Sequence, residues 1–169
     1  MIEVKVSDAT LQDAAEKGMD AFLAVVIDAV RQAIGGELTA ETMAQLNADQ
    51  ITLLAWDALH EEVMDGGFVQ LIHNGYGGFI YRNPTARAFR QWNVPELATL
   101  INHTHKLYSK YREQIERECT DEEFMALFEQ MPEFDACDDK FVEHEEQWTA
   151  MIACYVDDHL ADFVTIEKE

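Results

Sequence analysis

Basic side chains are scarce in this sequence of 169 residues, where 12 lysines and arginines stand against 33 aspartates and glutamates. A protein that binds duplex DNA neutralises phosphates with lysine and arginine, so the net charge of −21 excludes direct binding to nucleic acid. The same deficit argues against binding to anionic membranes. The longest apolar run extends only from Ala21 to Ile27, which is too short to span a bilayer.

Cysteine is also scarce, and the three residues Cys119, Cys137 and Cys154 include no Cys-x-x-Cys pair. Reduced thiols that serve as small core residues are the simplest interpretation of an odd count of this kind. Residues 1–5 lack the basic start and apolar stretch of a secretory signal peptide. These absences predict a cytoplasmic protein.

Motifs that carry catalytic chemistry are missing. The sequence has no Gly-x-Ser-x-Gly, no Walker lysine loop and no Gly-x-Gly-x-x-Gly, and none of its six histidines completes a His-Glu-x-x-His or Glu-x-x-His spacing. We therefore predict no catalytic residue, no cofactor and no metal site. A rival hypothesis is an enzyme with a pocket near the glycine-rich turn that uses His73, Asn74 or Tyr76.

The hydrophobic share of 48% and the length favour a globular protein with a substantial core. Helical spacing of the apolar residues predicts an all-α fold, with one domain over residues 1–169 that contains about six to eight helices. The first helix is expected to run from Ser7 or Asp8 to Gly35. Residues 2–6 alternate like a strand, but a single strand has no partner.

Further along the chain, Gly66 and Gly67 are expected to interrupt a helix that begins at Asp49. Thr120 is expected to cap a short helix, because a glutamate follows it three residues later. The last long helix is predicted over residues 135–162. Its carboxylates gather on one side and its apolar residues, with His144 and His159, gather on the other.

The negative charge is concentrated at one end of the sequence. Residues 119–169 contain 16 acidic and 2 basic residues, a net charge of −14, whereas residues 50–118 have a net charge of −1. Apolar residues at helical spacing run through the acidic region, so we expect an ordered surface rather than a disordered tail. An ordinary solvated helix face mixes charges of both signs, but only Lys140 interrupts the acids of the last helix.

We predict that this acidic region binds a basic partner protein. The candidate partner-binding residues are Asp121, Glu122, Glu123, Asp135, Asp138, Asp139, Glu143, Glu146 and Asp157. Because their role is electrostatic, no single carboxylate is expected to be indispensable. The alternative is that these carboxylates form an ordinary solvent-exposed surface, whose acidity keeps the protein soluble.

Residues 62–75, Glu-Val-Met-Asp-Gly-Gly-Phe-Val-Gln-Leu-Ile-His-Asn-Gly, resemble a family signature. The DNA-mimic-protein family, a group of small acidic all-helical bacterial proteins, has Glu, a gap, Asn-Gly-Gly-Phe, a gap, Gln-Phe-Phe, a gap and Asn. The resemblance covers about residues 50–163 and departs from the signature at Asp65 and at Leu71–Ile72. A structural role is expected for the motif residues Gly66, Gly67, Phe68, Gln70 and Asn74. Phe68 would lie in the core, while Gln70 and Asn74 would satisfy backbone groups of the loop.

The resemblance implies a homodimer whose carboxylates imitate the phosphates of duplex DNA. Such a protein would occupy the DNA-binding surface of a basic protein such as a transcription regulator. An immunity or antitoxin-like inhibitor of a basic toxin would use the same acidic surface, so only the identity of the partner separates these two functions.

Overall fold

The computed structural model describes residues 2–168, and it confirms the predicted all-α fold class. The helices are α1 (Asp8–Lys17), α2 (Met19–Ala33), α3 (Ala40–Met43), α4 (Ala48–Leu71), α5 (Gly77–Tyr81), α6 (Thr85–Gln91), α7 (Pro95–Glu116), α8 (Asp121–Gln130), α9 (Glu133–Asp158) and α10 (Leu160–Phe163). A π-helical turn, Ile72–Tyr76, follows α4, and the strands are β1 (Lys5–Ser7) and β2 (Thr165–Glu167). Among the described residues, no helix is both long and apolar enough to cross a membrane.

The chain divides into two compact units. Unit 1 combines Met1–Leu54 with Thr149–Glu169, and unit 2 is the continuous segment Ala55–Trp148. The organisation of residues 1–169 as one domain stays a prediction.

In unit 1, a glycine divides the helix that the sequence predicts as one element from Ser7 to Gly35. Gly18 has φ 124° and ψ 177°, so it separates α1 from α2, and the prediction of a continuous helix is wrong. A residue with a side chain rarely adopts this φ, which makes glycine the natural break point. The start of α1 is as predicted, because the hydroxyl of Ser7 accepts the N–H of Thr10 at 3.1 Å.

The prediction that the N-terminal strand lacks a partner is also wrong. β1 pairs in parallel with β2, and Val6 lies opposite Ile166 in the register. The last long helix ends at Asp158 rather than at residue 162, and the short helix α10 leads into β2. This segment is held to α4, because Gln50 Nε2 donates to the carbonyl of Phe163 at 2.9 Å.

In unit 2, aromatic packing determines how the acidic helix α9 faces the core. Phe141 is fully buried, and its ring centroid lies 5.8 Å from Trp56, 6.1 Å from Phe68 and 5.5 Å from Trp148. Aromatic pairs of this geometry add about 0.5–1.5 kcal/mol each beyond the burial of their area. With this side of α9 fixed inward, the carboxylates of the opposite side face solvent.

Candidate partner-binding surface

The acidic turn of α8, formed by Asp121, Glu122 and Glu123, lies at the start of that helix. The Thr120 hydroxyl accepts the backbone N–H of Glu123 at 3.2 Å, which confirms the predicted cap. Carboxylates near a helix N-terminus interact favourably with the partial positive charge of the free N–H groups. All three side chains are exposed, and Glu123 lies 3.8 Å from the exposed guanidinium of Arg117.

The acidic face of α9 consists of Asp135, Asp139, Glu143 and Glu146, which are all exposed. They follow one another at intervals of four, four and three residues, so they span about 16 Å along the helix axis. In the part of the chain that the structure describes, none of the four has a basic group within 4.0 Å. The acidic face therefore presents unneutralised carboxylates on a rigid element.

Asp138 differs from these neighbours, because it serves the interior of unit 2. Its side chain is half-buried, and its Oδ1 accepts the backbone N–H of Phe68 at 2.8 Å. A Cβ added at Gly67 would overlap the Asp138 carboxylate, so the glycine is what permits this close approach. Burial raises the pKa of Asp138 to about 6, and the nearby charges of Asp135 and Asp139 act in the same direction.

The raised pKa of Asp138 predicts a specific pH dependence of stability. At pH values between the ordinary pKa of aspartate, 3.8, and about 6, the folded state binds more protons than the unfolded state. The contribution of Asp138 to the free energy of unfolding is thus present at low pH and is lost as the pH rises through 6. We expect Asp138→Asn, which keeps the acceptor oxygen, to be more stable than the wild type at neutral pH by about 1–2 kcal/mol. This range allows for the partial exposure of the side chain, because solvent screens the effect of the charge.

Urea unfolding of Asp138→Asn and wild type at several pH values measures this effect. The difference in free energy of unfolding should shrink toward zero as the pH falls below 4. Glu143→Gln is the matched control, since it removes an exposed carboxylate of the same helix that does not contribute to the raised pKa of Asp138. A pH-independent difference for Asp138→Asn would contradict the assignment of the raised pKa.

Asp157 is separated from the other candidate residues by the division of the chain. It is exposed and belongs to unit 1, whereas the other eight candidates belong to unit 2. Asp157 lies beside a shallow apolar hollow that Ala15, Phe22 and Ala153 line. A contact between Asp157 and a partner would therefore involve unit 1, whereas contacts of α8 and of the acidic face of α9 would involve unit 2.

Two exposed apolar side chains lie among the acids, and the sequence interpretation missed them. Met125 on α8 is 63% exposed, and Val142 on α9 is 53% exposed. Met125 lines a hollow together with Asp121, Glu122 and Glu129. Protein interfaces combine an apolar centre with a polar rim, so an exposed methionine among carboxylates is a candidate contact for a partner. The sequence of α8 could have indicated that Met125 is exposed, because Leu127, two residues further along the helix, is the buried residue.

The glycine motif forms a kink whose polar contacts differ from those predicted. Gly67 has φ 80° and ψ −177°, which interrupts α4 as predicted, and Phe68 is fully buried as predicted. Gln70 and Asn74, however, donate from their amide nitrogens to Glu62 Oε2, both at 2.9 Å. The prediction that these amides satisfy loop backbone groups is wrong, because the Glu62 carboxylate lies within their reach and is the stronger acceptor.

The residues named in the enzyme hypothesis occupy the π-helical turn. His73 Nδ1 lies 2.8 Å from the carbonyl of Ile115, while Tyr76 and Asn74 are exposed. Within residues 2–168, no three His, Cys, Asp or Glu side chains are grouped so that they could hold a metal ion.

Sequence comparisons connect this arrangement with known proteins. Residues 44–161, which include the glycine motif, α8 and α9, match the family described as DMP19-like protein. The chain is also 33% identical over 127 residues to the DNA mimic protein DMP19 of Neisseria meningitidis serogroup B (strain ATCC BAA-335 / MC58). That alignment covers 75% of this chain and 77% of the relative. The matches confirm the predicted membership of the DNA-mimic-protein family, and the chain belongs to the DMP19-like protein family.

Proposed function

We propose that this protein is a DNA mimic that occupies the DNA-binding surface of a basic partner, such as a transcription regulator. The observation that carries the proposal is the acidic face of α9, where four exposed carboxylates without ion-pair partners stand on one side of a helix whose other side is core. The name of the relative, DNA mimic protein DMP19, supports the same function.

The spacing of the acidic face suits a surface that normally binds phosphates. Four carboxylates over about 16 Å give one charge per roughly 4–6 Å of helix axis. One strand of B-DNA carries one phosphate per about 3.4 Å along its axis, so α9 offers a comparable but sparser row. A basic groove that binds this row releases counterions, as it does when it binds DNA.

Rigidity adds to the electrostatic attraction. The buried ring of Phe141 holds α9 in place, so the carboxylates need not be ordered when the partner binds. Met125, in the hollow beside the acidic turn of α8, supplies an apolar contact that a phosphate backbone lacks. This contact would favour binding to one particular protein over other proteins that have DNA-binding surfaces.

We also propose that the protein acts in the cytoplasm and that it forms a homodimer, and the family resemblance implies the dimer. Parts of α2 remain available for a second copy, because Ala24 is exposed and Val25 is only half-buried. The three cysteines are free, which agrees with a reducing compartment.

The proposal predicts salt-dependent capture of DNA-binding proteins. The immobilised protein is incubated with cell lysate at about 50 mM salt, and bound proteins are eluted at about 300 mM, a range over which contacts to several charges weaken strongly. We expect mass spectrometry of the eluate to identify DNA-binding proteins. Short duplex DNA should release them at low salt, since it competes for the same surface.

A flexible polyglutamate of equal total charge is the matched competitor. It carries carboxylates without fixed spacing, so it should displace the partner less effectively than duplex DNA does. Equal displacement by both polymers would contradict mimicry and would indicate binding by acidity alone. Recovery of a toxin that lacks a DNA-binding surface would instead favour the inhibitor hypothesis.

A further inference from the structure

Outside the acidic helices, a thiol and an imidazole meet between the π-helical turn and α8. Cys119 Sγ lies 4.0 Å from His73 Nε2, at the outer limit for a sulfur hydrogen bond. Both residues are half-buried, so a small solute reaches the pair. A nucleophile beside a base is the arrangement that activates cysteine in many proteins.

The other side of the imidazole establishes which nitrogen carries the proton. His73 Nδ1 lies 2.8 Å from the carbonyl oxygen of Ile115, and a carbonyl only accepts hydrogen bonds, so Nδ1 carries the hydrogen. In the neutral ring, Nε2 then has a free lone pair, and it faces the thiol of Cys119. The base is thus oriented by a third group, as in a catalytic triad.

A further contact holds the ring in this orientation. The ring of Phe124 on α8 lies 4.7 Å from the ring of His73, measured between centroids. Ile115 is fully buried, so the carbonyl that accepts the Nδ1 hydrogen belongs to a fixed part of α7. The pair therefore does not depend on a chance rotamer of an exposed histidine.

We propose that Cys119 is a peroxide-reactive site and that His73 positions and deprotonates its thiol. His73 Nε2 accepts the Sγ proton, and the thiolate attacks one oxygen of hydrogen peroxide. The S–O bond forms as the O–O bond breaks, so sulfur is oxidised by two electrons and the peroxide is reduced. The leaving hydroxide takes the proton from His73 and departs as water, and Cys119 becomes a sulfenic acid.

The surroundings select the class of oxidant. Glu118 precedes Cys119, Asp121 follows two residues after it, and both are exposed, so anionic oxidants and anionic disulfides are repelled. Hydrogen peroxide is small and neutral, which suits a half-buried thiol in this environment. The sulfur that is oxidised lies two residues before the acidic turn of α8.

The other two cysteines are internal references. Cys137 is buried, and burial raises its pKa to about 11, which leaves it a poor nucleophile. Cys154 is exposed, and in the described residues it has no hydrogen-bond partner. Accessibility alone would make Cys154 the most reactive thiol, whereas the proposal makes Cys119 the most reactive.

The test treats the folded full-length protein with hydrogen peroxide, traps sulfenic acids with a cyclic dione and quantifies each cysteine by mass spectrometry. We expect Cys119 to be modified at least about tenfold faster than Cys154. This factor is smaller than the rate enhancement that a positioned general base usually provides. The same ratio measured in denaturant corrects for intrinsic differences and requires no variant. Equal native rates for the two cysteines, or a faster Cys154, would overturn the proposal.

A pair of histidine variants separates the base from mere packing. His73→Asn retains a side-chain N–H near Ile115 but lacks Nε2, so the rate at Cys119 should fall to that of Cys154. His103→Asn, at an exposed position of α7, should leave the rate unchanged. An undiminished rate at Cys119 in folded His73→Asn would contradict the role of His73.

Discussion

Reversal of Asp139, Glu143 and Glu146 to lysine is expected to weaken capture of a DNA-binding partner by at least about 100-fold. Each substitution places a positive charge where the basic surface of the partner expects a negative one, and such like-charge contacts cost several kcal/mol in total. All three side chains are exposed, so the fold should tolerate the changes within about 0.5 kcal/mol each. The effect concerns binding and not stability.

Titration of the isolated partner with each protein, at two salt concentrations, measures this loss. A matched control reverses Glu16, Glu37 and Glu41, which are exposed, lie outside α2, α8 and α9, and produce the same change in net charge. If net charge alone drives binding, the control and the α9 variant should weaken capture equally. Equal weakening, or unchanged capture by the folded α9 variant, would refute the assignment of the acidic face.

The second large effect is expected at Gly67, where alanine should destabilise the protein by about 3–5 kcal/mol. With φ 80° and ψ −177°, this residue occupies a region that is essentially restricted to glycine and costs other residues about 1–3 kcal/mol. The added methyl group would also displace Asp138, whose hydrogen bond with the Phe68 N–H would break. A buried N–H without its partner costs about 1–3 kcal/mol more.

Gly75→Ala provides the matched control for this prediction. Gly75 also has a positive φ, 92°, but nothing lies within 4 Å of an added Cβ. Its substitution should cost only about 1 kcal/mol, the conformational penalty alone. Urea unfolding of both variants measures the difference. Similar losses for the two variants would show that the close approach to Asp138 adds nothing.

Local signals in the sequence predicted the helix ends at which a capping side chain or a glycine occurs. Thr120 caps α8, and Gly67 interrupts α4, because a side-chain oxygen or a positive φ acts within a few residues of the chain. Gly18 carries no comparable signal, since an isolated glycine inside an apolar helical pattern is often tolerated. The pairing of β1 with β2 joins residues from opposite ends of the sequence, and three-residue strands leave no reliable pattern.

The candidate site shows the same division between local and distant causes. Periodicity predicted an exposed acidic face on α9, because the apolar residues of one helix determine which side is buried. Asp138 lies only about 60° from Phe141 around the helix axis, at the border of the two faces. Its place in the interior depends on the N–H of Phe68, which is distant in the sequence. Only the folded chain brings these groups together.

The pairing of β1 with β2 has a consequence for the order in which the protein forms during translation. Unit 2 is one continuous segment, so it has all its residues once Trp148 has left the ribosome. Unit 1 also needs Thr149–Glu169, and Lys5–Ser7 must wait for Thr165–Glu167, which are synthesised after the whole of unit 2. The nascent chain thus exposes apolar residues of α1 and α2 until residues 149–169 have been added.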